Sequence, residues 1–258
     1  MTTLNIIKVG GNIIDHPEKL SAFLQDFAKL EGYNILVHGG GKVASQLASS
    51  MGLEVKMVEG RRVTDQEMLE VVTMVYAGLV NKKVVAQLQA LDCNAMGFSG
   101  ADGNAIQSHK RIVKTVDYGF VGDIDHVNGA MIFDMMQKGI VPVFSAITHD
   151  KQGQLLNTNA DTIASSLAVA LSSFVPTRLI YCFELLGVLK DINDLSSLIP
   201  KIDADSYVAL KEEGVISKGM IPKLDNCFDA IAKGVSSVAI CQAEKLLELK
   251  EGNYTEIK

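Results

Sequence analysis

Apolar residues fall along this chain in two alternating rhythms. Short, largely apolar runs at Leu4 to Val9 (broken only by Asn5 and Lys8), Tyr33 to Val37, Ile140 to Ile147, Arg178 to Phe183 and Ser237 to Cys241 read as strands, the first as one buried on both faces. Between them lie stripes at three- and four-residue spacing, the mark of helices with one inward face. Leu20, Phe23, Leu24, Phe27 and Leu30 form the first; Asp15 and Glu18 read as its capping box and Gly32 as its end. Val43, Leu47, Ala48 and Met51 form the next, closed by Gly52. Met68, Leu69, Val72, Val75, Tyr76 and Leu79 form another, opened by a capping box of Thr64 and Glu67, and Val84, Val85, Leu88 and Leu91 follow. Ile163, Ala164, Leu167 and Leu171 point one helix inward after Asn157 to Asp161, and helices are predicted at about Asp205 to Glu213, Lys218 to Lys233 and Ala243 to Leu249. Residues from about Ile106 to Asp125 are polar and glycine-punctuated, as in a hairpin or flap beside a sheet. The repeat is βαβα, which predicts an α/β fold with a parallel sheet between helix layers and a seam near Ser172 to Pro176.

Composition narrows the class. A chain of 258 residues, 48% hydrophobic and 21% charged, supports one large domain or two smaller lobes. Its net charge of −6, with no basic run, argues against nucleic acid or an anionic membrane as a partner. Cys93, Cys182, Cys227 and Cys241 form no C-x-x-C pair, so they read as small apolar residues in a reducing compartment rather than as zinc ligands. The first residues lack a signal-peptide layout and no apolar run reaches the roughly 20 residues that span a bilayer, so a cytoplasmic protein is expected.

The candidate chemistry starts at two glycine-rich loops. His38-Gly39-Gly40-Gly41-Lys42 follows the second strand, and Gly10-Gly11 follows the first. Glycines there let backbone N–H groups press against a bulky anion, and a helix N-terminus beyond them favours the same anion. Neither loop is a Walker or a Rossmann fingerprint: Lys42 is followed by Val43, and the G-x-G-x-x-G spacing is missing. The strand lysine Lys8 needs an anionic partner; beside Gly10-Gly11 a phosphate suits it better than a structural carboxylate. Lys223 follows Pro222 in the first turn of a predicted helix, where lysine and helix end can face one anion. Asn157, Asn159 and Asp161 sit in the N-T-N-A-D run before another helix, and Arg62 can fork onto a carboxylate. The five histidines show no metal-ligand spacing and there is no G-x-S-x-G elbow, so zinc-enzyme and hydrolase readings lack support.

At these residues the chain resembles the amino-acid kinase superfamily and, within it, the N-acetylglutamate kinases. IIKVGGNII, VHGGGK, GRRVT, GFSGADG, YGFVGDI, NTNAD and GMIPK carry the resemblance in order, almost end to end. It implies an open three-layer αβα sandwich with a mainly parallel central sheet. Residues 1–173 would bind an acylated glutamate and form a homodimer interface, and 174–258 would bind ATP. By motif position, Lys8 and Lys223 would stabilise the transferring phosphoryl group, and Asp161 would hold both lysines. Gly39, Gly40, Arg62, Asn157 and Asn159 would contact the substrate, Gly39 and Gly40 also the transferring phosphoryl, and Arg62 and Asn157 the substrate's α-carboxylate. Gly10, Gly11, Gly41, Glu184, Gly187, Val215, Ile216, Ser217, Gly219 and Met220 would contact the nucleotide. Mg²⁺ would ride on the ATP phosphates, so no dedicated protein ligand set is expected.

The implied activity is ATP-dependent phosphorylation of the γ-carboxylate of an N-acylated glutamate, on the arginine-biosynthesis route. Acetyl is the acyl group the resemblance implies; succinyl is an alternative, because Arg61 and the GFSGADG loop can line that end. Carbamate and aspartate kinases are opposed by the GRRVT and NTNAD pieces. A non-catalytic ligand sensor on the same scaffold is the reading from another class, and two lysines facing one phosphoryl oppose it. Where such kinases read L-T-D-V-x-G-V, this chain has Cys182-Phe183-Glu184-Leu185-Leu186-Gly187-Val188, so nucleotide affinity or base preference can differ. Arginine-inhibited kinases of this kind carry an extra N-terminal helix, and because this chain starts at the first strand, no arginine feedback by that route is expected.

Overall fold

A computed structural model describes residues 2–58, 60–113, 115–191, 193–216, 220–250 and 252–258, with the side chains of Pro222 and Lys250 outside the description. In chain order the elements are β1 (Leu4–Val9), α1 (Gly11–Ile14), α2 (Pro17–Phe27), β2 (Tyr33–His38), α3 (Gly41–Ser50), β3 (Met57–Val58), β4 (Arg61–Arg62), α4 (Gln66–Thr73) and α5 (Asn81–Gln89). There follow β5 (Ala95–Phe98), β6 (Ile106–Lys110), β7 (Gly122–Val127), α6 (Gly129–Gln137), β8 (Val141–Ser145), β9 (Ile147–His149), β10 (Leu155–Asn157) and α7 (Ala160–Leu171). The last are β11 (Thr177–Phe183), β12 (Lys201–Ile202), α8 (Ala204–Glu212), α9 (Ile221–Ala232), β13 (Ser237–Gln242) and β14 (Thr255–Ile257). The fold is α/β with a large, mostly parallel central sheet, as the alternating pattern predicts.

Contacts divide the chain into two compact units, residues 1–35 with 164–258, and residues 36–163. The division follows strand pairing rather than chain order. In the first unit the strands run β12-β14-β13-β11-β1; β1 pairs in parallel with β11, and β11 with β13. That pairing draws the first 35 residues to the C-terminal third, and the sequence seam at Ser172 to Pro176 falls inside this unit. Leu4, Ile6, Ile7 and Val9 of β1 are buried, so only Asn5 and Lys8 break its apolar run. In the second unit β2 pairs in parallel with β8, and β8 with β5; a separate sheet, β10-β9-β6-β7, contains the predicted hairpin as β6 and β7.

Three local expectations are corrected. Asp15 does not cap α2: Pro17 sets the first helical turn there, His16 is the N-cap, and Asp15 ends α1. Thr64 does not cap α4: its backbone is tied to Tyr118 and Phe120, and Asp65 caps instead, accepting from Met68 N at 2.8 Å. The stretch Ala243–Lys250 is 3₁₀ rather than α, broken at Lys245. Between α4 and α5, Met74–Val80 winds as a π-helix, a rare form that turns side chains out of the regular register. Cys182, Cys227 and Cys241 are buried and Cys93 is half-buried, all four as free thiols.

Candidate functional site

Most of the residues singled out in the sequence line two cavities, one in each unit. The first, of about 340 Å³, belongs to the unit of residues 1–35 and 164–258. Lys8, the penultimate residue of β1, and Lys223, in the first turn of α9, both reach it. Helix α9 is described from Ile221, with Met220 as its N-cap, so Lys223 is its third residue; Lys218, the predicted start, lies outside the described residues. Both ammonium groups stand over one ring: Lys8 Nζ is 5.3 Å and Lys223 Nζ 4.0 Å from the centroid of Phe183. A ring face carries negative potential, so it steadies two like charges near each other without neutralising either. Phe183 is itself stacked on Tyr181, with centroids 6.1 Å apart.

Gly10 and Gly11 supply backbone to the wall of the same cavity. The Gly10 N–H is tied to Cys182 O at 3.1 Å, which fixes the start of the loop to β11. Glu184, Gly187 and Met220 also line it, and Asn12 Nδ2 donates to Glu184 Oε1. Val215 and Ile216 are not among its lining residues; Ser217 and Gly219 lie outside the described residues. Beneath the wall, the Cys182 and Cys241 sulfurs are 3.7 Å apart on paired strands. Their mutual hydrogen bond, then burial, pushes the Cys182 thiol well above its ordinary range, which keeps it neutral.

The second cavity, of about 230 Å³, lies in the unit of residues 36–163. Gly39, Gly40, Gly41, Arg62, Asn157 and Asn159 all line it. Gly41, expected on the nucleotide, therefore stands with the residues expected on the acceptor. Gly40 has φ 152°, a conformation closed to side chains, and a Cβ on it would lie 3.0 Å from Tyr76 Cδ1. Arg62 is 8% exposed; its Nη2 donates to Gly41 O and to Ser45 Oγ, each at 2.8 Å. Asn157 Nδ2 donates to Thr64 Oγ1 at 3.0 Å. Asn159 Oδ1 accepts from the Asp161 and Thr162 amides, so Asn159 caps α7, and Asp161 is the second residue of that helix.

Among the described residues no group of three or more His, Cys, Asp or Glu side chains is placed to hold a metal ion. The family model for the amino acid kinase family matches residues 3–242. The chain belongs to that family. The acetylglutamate kinase of Cytophaga hutchinsonii is 57% identical over 256 residues, 99% of this chain and 97% of that protein. The acetylglutamate kinase of Parabacteroides distasonis is 52% identical, with both chains covered completely. The structure of carbamate kinase from Giardia lamblia bound to AMP-PNP shares the fold, with a TM-score of 0.69 at 12% identity over 99% of this chain and 98% of that one.

The cavities of this amino acid kinase are also lined by residues that its sequence pattern hid. Tyr76 counts as one of a helical apolar stripe, yet the π-helical turn sets it in the second cavity, 6% exposed, hydrogen-bonded to Arg62. Burial pushes its phenol up, against the pull of the Arg62 charge. Arg111 lines the cavity too; its fork grips Asp123 at 2.5 and 3.1 Å and its guanidinium lies over Tyr118. The hydrogen bond from Arg111 holds the Asp123 carboxyl below the usual carboxylate range. Phe183, the platform of both lysines, reads in sequence as an ordinary strand residue. The available signal was its place one residue before the altered Glu184 segment.

Proposed function

We propose that this chain is an acetylglutamate kinase: it transfers the γ-phosphoryl group of ATP to the γ-carboxylate of N-acetyl-L-glutamate, giving the acyl phosphate used in arginine biosynthesis. The observation that carries the phosphoryl-transfer reading is the pair of ammonium groups over the Phe183 ring, in a cavity walled by Gly10 and Gly11. The acceptor follows from likeness over nearly the whole chain to proteins named acetylglutamate kinase.

The first cavity takes the nucleotide phosphates and the second the acylglutamate. The acceptor carboxylate is already ionised at neutral pH, so its oxygen attacks the γ-phosphorus with no general base; a new O–P bond forms as the bond to the β-phosphate oxygen breaks, and ADP leaves. Charge on the equatorial oxygens is what the protein must offset, and Lys8 and Lys223 do so. Mg²⁺ would come in on the nucleotide phosphates and would offset part of their charge; among the described residues no carboxylate cluster is placed to hold it. Arg62 and Asn157 take the α-carboxylate, Asn159 and the Gly39 and Gly40 backbone the rest of the acceptor.

The protein works in the cytoplasm as a homodimer. No helix among the described residues is long and apolar enough to cross a membrane. Met74 (51% exposed) and Leu79 (45%) project from the turn after α4, an apolar pair suited to the dimer contact. One observation favours a second acceptor. Arg61 and Arg111 line the second cavity beside Arg62, and a dicarboxylic acyl group such as succinyl would supply a further carboxylate for them.

ATP consumption with acetylglutamate, succinylglutamate, aspartate and carbamate as acceptors tests the proposal, with the acyl phosphate trapped as a hydroxamate. Turnover of acetylglutamate above the others is expected. Turnover of succinylglutamate far above acetylglutamate would reassign the acyl group, and no turnover with either would overturn the kinase.

A further inference from the structure

We propose that His38 and Asn81 form a buried positioning device that aims the Gly40 N–H at the phosphoryl group in flight. The inference rests on the reading that the second cavity takes the acceptor.

Three hydrogen bonds fix the state of the imidazole. Asn81 Oδ1 accepts from Lys82 Nζ at 3.1 Å, so its other terminal atom is the amide nitrogen. That nitrogen donates to Val143 O at 2.9 Å and to His38 Nε2 at 3.0 Å. His38 Nε2 must then be an acceptor, which leaves the single ring proton on Nδ1. Nδ1 lies 2.8 Å from Gly39 O and donates to it. His38 is fully buried and Asn81 is 1% exposed, so no solvent competes for these bonds.

The consequence lies in the next peptide. Gly39 C=O and Gly40 N–H belong to one peptide unit, which is trans because the described chain contains no cis bond. In a trans unit the two bonds point in opposite directions. Drawing the Gly39 oxygen inward to the buried imidazole therefore turns the Gly40 N–H outward, into the cavity that Gly40 lines. Among the described residues this N–H has no backbone acceptor. A fixed donor aimed at a charge that appears only during reaction stabilises the transition state without reorganisation. Gly40 itself holds φ 152°, a setting that L side chains rarely adopt. His38 touches neither substrate nor nucleotide in this account; it acts through the peptide.

The test replaces His38 with each of two amides. His38→Asn presents an N–H where Nδ1 stands and keeps the bond to Gly39 O. His38→Gln reaches the place of Nε2, satisfies Asn81 and leaves Gly39 O without its donor. With MgATP and acetylglutamate, kcat of His38→Gln is expected to fall about 100-fold, as for loss of one oxyanion donor, with KM little changed. His38→Asn should recover most of that loss. The affinity for MgADP with aluminium fluoride and acetylglutamate should follow kcat, while affinity for acetylglutamate alone stays level. Equal kcat in the two variants, or losses confined to KM, overturn the proposal. A wild-type protein inert with both acylglutamates sinks the kinase reading instead. Should a variant fail to fold, imidazole ¹⁵N spectra of the wild type decide: a neutral ring protonated on Nδ1 at pH 7 is expected, and a proton on Nε2 refutes the arrangement.

Discussion

Gly39 and Gly40 are neighbours in one loop, yet a methyl group added to each should fail in opposite ways. At Gly40 the backbone has φ 152°, and an added Cβ would stand 3.0 Å from Tyr76 Cδ1 and 3.3 Å from Val80 Cγ2. The conformation alone costs an L-residue about 1–3 kcal/mol. The buried Tyr76 ring also has little room to retreat, since its hydroxyl is tied to Arg62. Gly40→Ala should therefore lose about 2–3 kcal/mol, a fall in Tm of roughly 5–10 °C for a chain of this size. At Gly39 nothing stands within 4 Å of an added Cβ. Gly39→Ala should fold with a Tm within about 2 °C of wild type, because the change touches no packed neighbour. The open space is part of the second cavity, so its methyl would displace the acceptor and raise KM for acetylglutamate at least about tenfold. Calorimetry and steady-state kinetics on both variants read the two effects apart. A Gly39→Ala protein with normal KM would remove the acceptor from this cavity, and a Gly40→Ala protein as stable as wild type would show that the loop is not held as described.

Other outcomes follow from the same geometry. Lys8→Ala and Lys223→Ala should each cut kcat about 10²–10³-fold while the protein stays folded; near-normal turnover in either removes that lysine from the phosphoryl group. Phe183→Leu keeps the strand filled but removes the shared ring, and should lower kcat about tenfold through both lysines; unchanged turnover would make the platform incidental. Burial holds the His38 imidazole at about 4 rather than its ordinary 6.5, so between those values the unfolded chain binds the proton and the folded one does not. The stability from neutral His38 is complete above pH 6.5 and is lost as pH falls toward 4, by about 3 kcal/mol at most. Urea titrations of wild type and His38→Asn should converge over that window, and parallel curves would refute it. Met74→Glu with Leu79→Arg should convert a dimer to monomers in sedimentation; an unchanged mass would move the interface elsewhere.

Much of this fold was legible because strand and helix differ in period. The buried run at β1 tolerates two polar residues, Asn5 and Lys8, and the pairing with β11 explains why a run so apolar sits in the middle of a sheet. The misplaced caps had one cause. Capping patterns report which side chains can close a helix, but Pro17 and the bridge at Thr64 decide where the helix begins. The grouping of residues 1–35 with the C-terminal third was hidden, since strand pairing between Leu4 and Thr177, 173 residues apart, leaves no local pattern.

The site divides along similar lines. Lysines, arginine and glycines announce themselves because each is costly or unusual where it stands: a charge in a strand, three residues without Cβ in succession. Tyr76, Phe183 and His38 did not, because each satisfies the apolar pattern while carrying a second duty. Tyr76 fills a helix face, and only the π-helical turn sends its hydroxyl to Arg62. Phe183 ends a strand, and its ring matters only once Lys223, forty residues away, is laid over it. His38 is the last residue of β2 and wholly buried, so in sequence it continues the apolar run of that strand. Its value lies in one proton on one nitrogen, set by an asparagine forty-three residues on. A pattern of apolar and polar positions records which side chains leave water. The partner that gives a buried polar atom its role comes from another element, so it emerges only when the chain has folded.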